Sequence, residues 1–280
     1  MAELAQQVAT EINQAIDADE LELPTLPEIA LKIRDEAENP NASAVSLGKV
    51  ISGDPSLAAQ LVKTANSPMF MATRPIDDLA QAIGRLGVEY AANIVSGLAM
   101  QQMFQATSEM IDEKMREVWK ASTDAAAWTS VLAKRFTKLR PDQAALAGLT
   151  HYIGALPVLS WAEEHDHLIP DRMTLDRLVE SVHPPIGTMI LTRWNFAEEL
   201  ISVPEQYMLP VRKQPEVDYV DLVSAALLLT SRGETNRPLA EEPWAQAPVF
   251  SRIGVDLDMD ALALQKLTEQ VDAMRGVFGR

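Results

Sequence analysis

Four histidines carry most of the chemistry open to this chain: His151, His165, His167 and His183, in 280 residues that hold no cysteine. Without a thiol there is no disulfide, no thiolate metal ligand and no cysteine nucleophile. What is left is acid–base chemistry, or a metal held by nitrogen and oxygen donors. A metal that turns water into a hydroxide nucleophile needs several imidazoles and carboxylates converging from different elements. His151 stands alone in the apolar stretch Ala144–Trp161, where a single imidazole reads as a buried, hydrogen-bonded core residue. Tyr152 beside it reads as a core aromatic. Glu163-Glu164-His165-Asp166-His167 is denser, and His165 with His167 could hold an adventitious divalent ion. Between Trp161 and Ile169-Pro170, however, it reads as a solvent-exposed helix end. His183-Pro184-Pro185 reads as a helix entry, because proline is favoured in the first turn.

Other catalytic patterns are missing. The chain has neither a G-x-S-x-G elbow nor a Walker-type phosphate loop. The acidic pairs Asp77-Asp78, Glu198-Glu199 and Glu241-Glu242 are adjacent in sequence. Neighbours on a helix point about 100° apart, so these pairs suit solvated faces better than general acid–base work.

The elements that must position these side chains have the helical period almost everywhere, and no run alternates as a strand does. Leu4, Val8, Ile12 and Ile16 line one face of an N-terminal helix. Pro24 and Pro27 bracket a turn before a helix at Glu28–Glu38, and helices are expected near Ala44–Ser52 and Pro55–Ala65. Asp54-Pro55 is a helix start, a carboxylate N-cap followed by proline at the first helical position, and Asn66-Ser67-Pro68 stops the run. Asp77 or Asp78 caps a helix ending at Gly87, and Val88–Gln105 follows at once. Ile111–Leu139 reads as one long helix or a broken pair stopped by Pro141. Asp142–Trp161 is the next, with Gly154 or Pro157 as its candidate break. Leu175–Val182 and Pro185–Trp194 read as two helices, and Pro204–Pro215 as a joint. Val217–Ser231 is helical, Arg232–Val249 a loop, and Asp260–Val277 a final helix with Leu262, Leu267, Val271 and Met274 toward the core. Together these predict an all-α, compact multi-helix bundle of two lobes, joined near residues 106–118.

Composition narrows the partners. Forty acidic residues against 24 basic ones give a net charge of −16, a field that repels phosphate backbones and argues against nucleic acid. The densest basic run, Lys134-Arg135-Phe-Thr-Lys138-Leu-Arg140, reads as a solvated helix end. Ala144–Trp161 reads as buried core rather than a membrane span, and the first residues lack the basic region of a signal peptide, so a cytoplasmic location is expected. Met69, Phe70 and Met71, between Pro68 and Pro75, are either a core plug beneath a turn or adaptable interface material.

Several short motifs carry a family resemblance, in order along the chain. Leu23-Pro24-Thr-Leu26-Pro27-Glu28, Ile51-Ser-Gly-Asp54-Pro55, Ala65-Asn66-Ser67 and Ala82-Ile83-Gly-Arg-Leu86-Gly87 resemble the HDOD (HD-related output domain) family, over roughly Leu21 to Met208. The resemblance implies an all-helical bacterial signalling module related to the metal-dependent HD phosphohydrolases but generally without their metal site. It implies the division 1–20 as an N-terminal helix, 21–215 as the HDOD domain, and 216–280 as a helical extension on the HD-like lobe. It makes Pro24, Pro27, Asp54, Pro55, Asn66, Ser67 and Gly87 motif residues with structural roles.

The same resemblance allows the ligand set to be checked position by position. The first ligand histidine of the related enzymes falls, within Trp119-Lys-Ala121-Ser122, on Ala121. Their His-Asp pair matches His151-Tyr152, with the aspartate replaced. Their last aspartate falls at Leu227, and Asp221 would serve only in a shifted register. The expectation is a protein with no catalytic residues, no metal and no cofactor, in which His151, Tyr152 and His183 form a vestigial pocket. Such a protein would act by contacts with other signalling proteins in trans: a sensor kinase, a response regulator or a cyclic-dinucleotide enzyme. The alternatives are a divergent metal-dependent phosphodiesterase and a nucleotide sensor using that pocket.

Overall fold

Caps and prolines set several helix starts in this protein. The structure is a computed structural model that describes residues 2–17, 23–70, 74–209, 212, 214–231 and 239–278. The first half holds α1 (Ala2–Asp17), α2 (Glu28–Glu38), α3 (Ala44–Ile51), α4 (Pro55–Ala65), α5 (Leu79–Leu86) and α6 (Val88–Ala99). Then come α7 (Glu109–Phe136), α8 (Pro141–Thr150), α9 (Ala155–Glu164) and α10 (Arg172–Arg193). The chain continues through α11 (Glu198–Ile201), α12 (Val203–Gln206), α13 (Tyr219–Ser231), α14 (Pro248–Ile253) and α15 (Ala261–Phe278). The described residues contain no strand, so the fold is all-α.

Local chemistry explains the starts. Asp54 Oδ1 accepts from the backbone N–H groups of Ser56 (2.9 Å) and Leu57 (3.1 Å) ahead of Pro55. Asp78 caps α5 through Gln81 N, and Asp171 caps α10 through Thr174 N, both at 2.7 Å. Each satisfies a donor that the helix leaves open. Gly87 ends α5 and starts α6 with φ 91° and ψ 149°, a positive-φ extended conformation rather than the left-handed helical one, and one that glycine alone adopts readily.

One hydrophobic core runs from Val8 and Ile12 in α1 to Phe278 in α15. Within it α7 is the central rod, touched by α8, α9, α13 and α15. The α2 helix lies on α6, and α10 on α1, α9 and α12. The C-terminal helix reaches both halves: α15 packs on α7 and also on α4 and the turn at Pro68–Phe70, so the extension is not confined to the HD-like lobe. The one stretch among the described residues long and apolar enough to cross a membrane is Pro141–Glu164, and its most apolar 18-residue window is 89% buried in the protein.

Several sequence expectations need correction. Residues 111–136 lie in a single 28-residue helix, and Pro141 starts α8 rather than merely stopping α7. The break between α8 and α9 falls over 151–154, and Pro157 sits inside α9. Residues 172–193 form one helix with Pro184 and Pro185 inside it, so His183 is mid-helix and not at an entry. Interior proline costs about 3 kcal/mol in lost bonding and crowding. Here buried residues on both sides, Leu178, Val179 and Val182 before and Ile186, Ile190 and Leu191 after, hold the helix continuous. Part of the expected 232–249 loop is α14, and residues 232–238 lie outside the described residues. Leu262 is 59% exposed, whereas Leu267, Val271 and Met274 are buried. In α1, Val8 and Ile12 are buried as expected; the side chains of Leu4 and Ile16 lie outside the described ones.

The 69–71 turn and the basic run meet. Met69 is buried, and Phe70 packs edge-on against Tyr90 with centroids 5.2 Å apart. Lys134 donates to the Met69 carbonyl and sits 4.8 Å over the Phe70 ring, so it is not a solvated helix end. Burial holds its ammonium below the usual lysine range. Met71 lies outside the described residues.

Candidate functional site: a buried histidine–tyrosine cluster

The turn 151–154 between α8 and α9 rests directly on α10, and glycine makes that approach possible. A Cβ added to Gly154 would lie 2.0 Å from the carbonyl oxygen of His183 and 2.5 Å from Gly187 N. A Cβ on Gly187 would in turn lie 2.7 Å from the Pro204 ring. These contacts bring His151 and Tyr152 of the turn against His183 of α10, with Tyr207, just past α12, closing the group.

The four rings contact one another edge to face and face to face. Tyr152 and His183 centroids are 4.2 Å apart at 78°, and those of His151 and Tyr207 are 5.0 Å apart at 89°. His151 stacks near Tyr152 at 5.7 Å, and His183 near Tyr207 at 5.9 Å. Nδ1 of His151 lies 2.7 Å from the Gly148 carbonyl. A carbonyl only accepts, so Nδ1 carries the proton of the neutral ring. Nε2 of His183 lies 3.1 Å from the Tyr207 hydroxyl, and its Nδ1 is buried without a partner among the described residues.

Burial sets the electrostatics. It pushes the His151 imidazole down to about 4, and His183 to about 3 with a further contribution from His151. Burial also raises the hydroxyls of Tyr152 and Tyr207 above the ordinary tyrosine range, and Glu180 adds to both. At neutral pH the cluster is therefore four uncharged rings.

Such a donor set does not fit a divalent metal. One imidazole nitrogen faces a backbone carbonyl, another a tyrosine hydroxyl, and among the described residues no carboxylate hydrogen-bonds either ring. Among the described residues no group of three or more histidines and carboxylates could hold an ion. Ala121 lies in α7 without a donor atom, and Leu227 is a half-buried residue of α13. Asp221 is spent elsewhere: fully buried, it pairs with Arg252 (2.6 and 2.9 Å) and with Arg212 (3.1 Å), which also holds Asp218. His165 ends α9, stacked on Trp161 at 4.2 Å with Nδ1 2.9 Å from the Trp161 carbonyl. Glu163 closes the N-terminus of α7, accepting from Thr107 N (2.8 Å) and Ser108 N (2.6 Å), and these bonds hold its carboxyl below the usual range.

The motif residues are joints. Pro24 offers its carbonyl to Trp194 Nε1 at 2.8 Å, and Pro27 precedes α2. Asn66 clamps the loop to α5: its Oδ1 accepts from Ile76 N at 2.8 Å and its Nδ2 donates to Ile76 O at 2.6 Å. Ser67 is buried, its hydroxyl 3.9 Å from Met274 Sδ in α15. Sequence reasoning missed Tyr207, which fell in the presumed joint; its signal was an aromatic three residues past Pro204 in a chain with four tyrosines. It also missed the Arg212–Asp221–Arg252 group, in which Arg252 lies 31 residues from Asp221.

Comparison with known proteins gives the fold a place. A 28% identical protein from Shewanella amazonensis SB2B, provisionally named a metal-dependent phosphohydrolase, has a crystal structure that superposes with a TM-score of 0.85 over all of both chains. An HDOD domain protein of unknown function from Geobacter sulfurreducens shares the fold at 20% identity and a TM-score of 0.67, over 99% of this chain and 98% of its own. A curated relative from Treponema pallidum (strain Nichols), named only as an uncharacterized protein, is 27% identical over 211 residues. That match covers 70% of this chain and 39% of the relative's length. The family model for the HDOD domain matches residues 23–208, two-thirds of the chain and every motif residue named above, and the chain belongs to that family.

Proposed function

We propose that this protein is a non-catalytic regulatory module of bacterial signal transduction that works by binding other proteins. The observation that carries the reading is the cluster of His151, Tyr152, His183 and Tyr207. Where an HD enzyme needs imidazoles and carboxylates around a metal, this chain presents neutral rings, with one nitrogen of each imidazole bonded to a protein group. Without a metal-activated hydroxide, phosphoester hydrolysis lacks its nucleophile. The partners would be signalling proteins met in trans, a sensor kinase, a response regulator or a cyclic-dinucleotide enzyme, in the reducing cytoplasm that a cysteine-free chain suits.

The second reading is a divergent phosphodiesterase, favoured by the name of the 28% identical Shewanella relative. Metal analysis of protein purified without added metal separates the two. Substoichiometric iron, manganese and zinc, with His151→Ala/His183→Ala retaining cellular function, is the expected result. Stoichiometric metal lost in that variant overturns the proposal. Affinity capture from the host lysate with mass spectrometry then identifies the partner.

A further inference from the structure

A cavity of 450 Å³ between α7, α15 and the turn after α6 shares no residue with the histidine–tyrosine cluster. Its volume lies within the roughly 300–1,000 Å³ of small-ligand sites. Phe104 and Trp119 form an aromatic wall, with centroids 5.2 Å apart and planes tilted by 45°. Three cations line it, Arg116, Lys120 and Arg275, against one carboxylate, Asp124. In a chain of charge −16 this lining is locally rich in cations, with Arg116 also paired to Asp112 and Arg275 to Asp272 at its edge.

Two buried donors at this cavity lack hydrogen-bond partners among the described residues. One is the indole Nε1 of Trp119, a residue only 7% exposed. The other is Nε of Arg275, which lies 2.9 Å from Asp124 Oδ1 but off line for a hydrogen bond. Asp124 is shared besides, with Lys120 Nζ 3.2 Å from its other oxygen. Buried donors normally find acceptors; Arg275 Nε already faces the Asp124 carboxylate, so the Trp119 indole N–H is the donor that points to an acceptor the protein does not supply. The ion pairs of the exposed cations are weak enough to be exchanged for a ligand's charge.

We propose that this cavity binds a small planar aromatic anion. The ring lies against Phe104 and Trp119, and the anionic group is held by Arg116, Lys120 and Arg275. Because Arg275 comes from α15 and the rest from α7 and the turn after α6, the ligand ties the C-terminal helix to the central rod. The inference goes beyond the regulatory reading above and does not depend on it.

The chemistry fits a nucleoside monophosphate or an aromatic carboxylate, so the full-length chain is titrated with adenosine 5′-monophosphate and, separately, with salicylate. Binding is read by calorimetry and by the Trp119 indole N–H resonance, assigned by its loss in Trp119→Phe. Saturable binding of at least one probe, with that resonance shifting, is expected, and the probe that binds identifies the source of the anion. Arg116→Glu/Lys120→Glu, both at exposed positions, should weaken binding at least tenfold with the circular dichroism spectrum unchanged. Absence of saturable binding by both probes, or affinity retained in the folded charge-reversal variant, overturns the proposal.

Discussion

The hydroxyl of Tyr207 lies 3.1 Å from Nε2 of His183, and it is the only hydrogen bond this imidazole makes among the described residues. The bond joins the residue after α12 to the middle of α10. Tyr207→Phe leaves a fully buried imidazole with no partner at either nitrogen, a loss of about 1–3 kcal/mol. Urea denaturation at pH 7 measures it. His183→Phe in the same background should recover part of the loss, because an apolar pair needs no hydrogen bond.

Stability should fall as the solution is acidified through the range in which ordinary histidines titrate. The folded-state values, about 4 for His151 and about 3 for His183, lie below the unfolded value of 6.5. Below pH 6.5 the unfolded chain therefore binds protons that the native chain refuses, and stability present above that pH is lost as pH drops. Each histidine contributes a slope of up to about 1.4 kcal/mol per pH unit, or about 2 kcal/mol for the pair between pH 7 and pH 5.5. Denaturation curves at the two pH values check this, and His151→Phe/His183→Phe should flatten the dependence.

Gly154→Ala tests the close crossing under the cluster. Its Cβ would meet backbone, His183 O at 2.0 Å and Gly187 N at 2.5 Å, and backbone cannot swing aside as a side chain does. The expected cost is about 3 kcal/mol, the upper part of the overpacking range, read as a lowered thermal midpoint. Gly84→Ala, where an added Cβ meets nothing within 4 Å, is the control and should not destabilise.

Asp221→Ala should destabilise by roughly 3–5 kcal/mol, because it strips the shared carboxylate from Arg212 and Arg252. The side chain of Arg212 is 6% exposed and keeps only Asp218 as an acidic partner. Asp221→Leu combined with Arg252→Met removes charges of both signs and should lose less, which thermal denaturation can compare directly.

Local rules wrote much of this fold legibly. The start of α4, and the Asp54 and Asp78 caps, follow from side chains that bond backbone donors a few residues away, whereas α2 starts after Pro27 with no side-chain cap. The family, too, was readable, because its motif residues are turn and cap residues whose identity is set by local geometry. Two readings failed for one reason: His183-Pro184-Pro185 as a helix entry and Leu262 as core both depend on what packs alongside.

The sequence alone determined that the chain is helical, acidic and free of thiols, since composition and periodicity are properties of the chain itself. Only the tertiary structure decided which side chains meet in the buried cluster. Tyr207 and His183 are 24 residues apart, and the Gly154–His183 contact that seats the cluster spans 29. No periodicity encodes such pairings, because they form only when separate helices bury their faces in a common core.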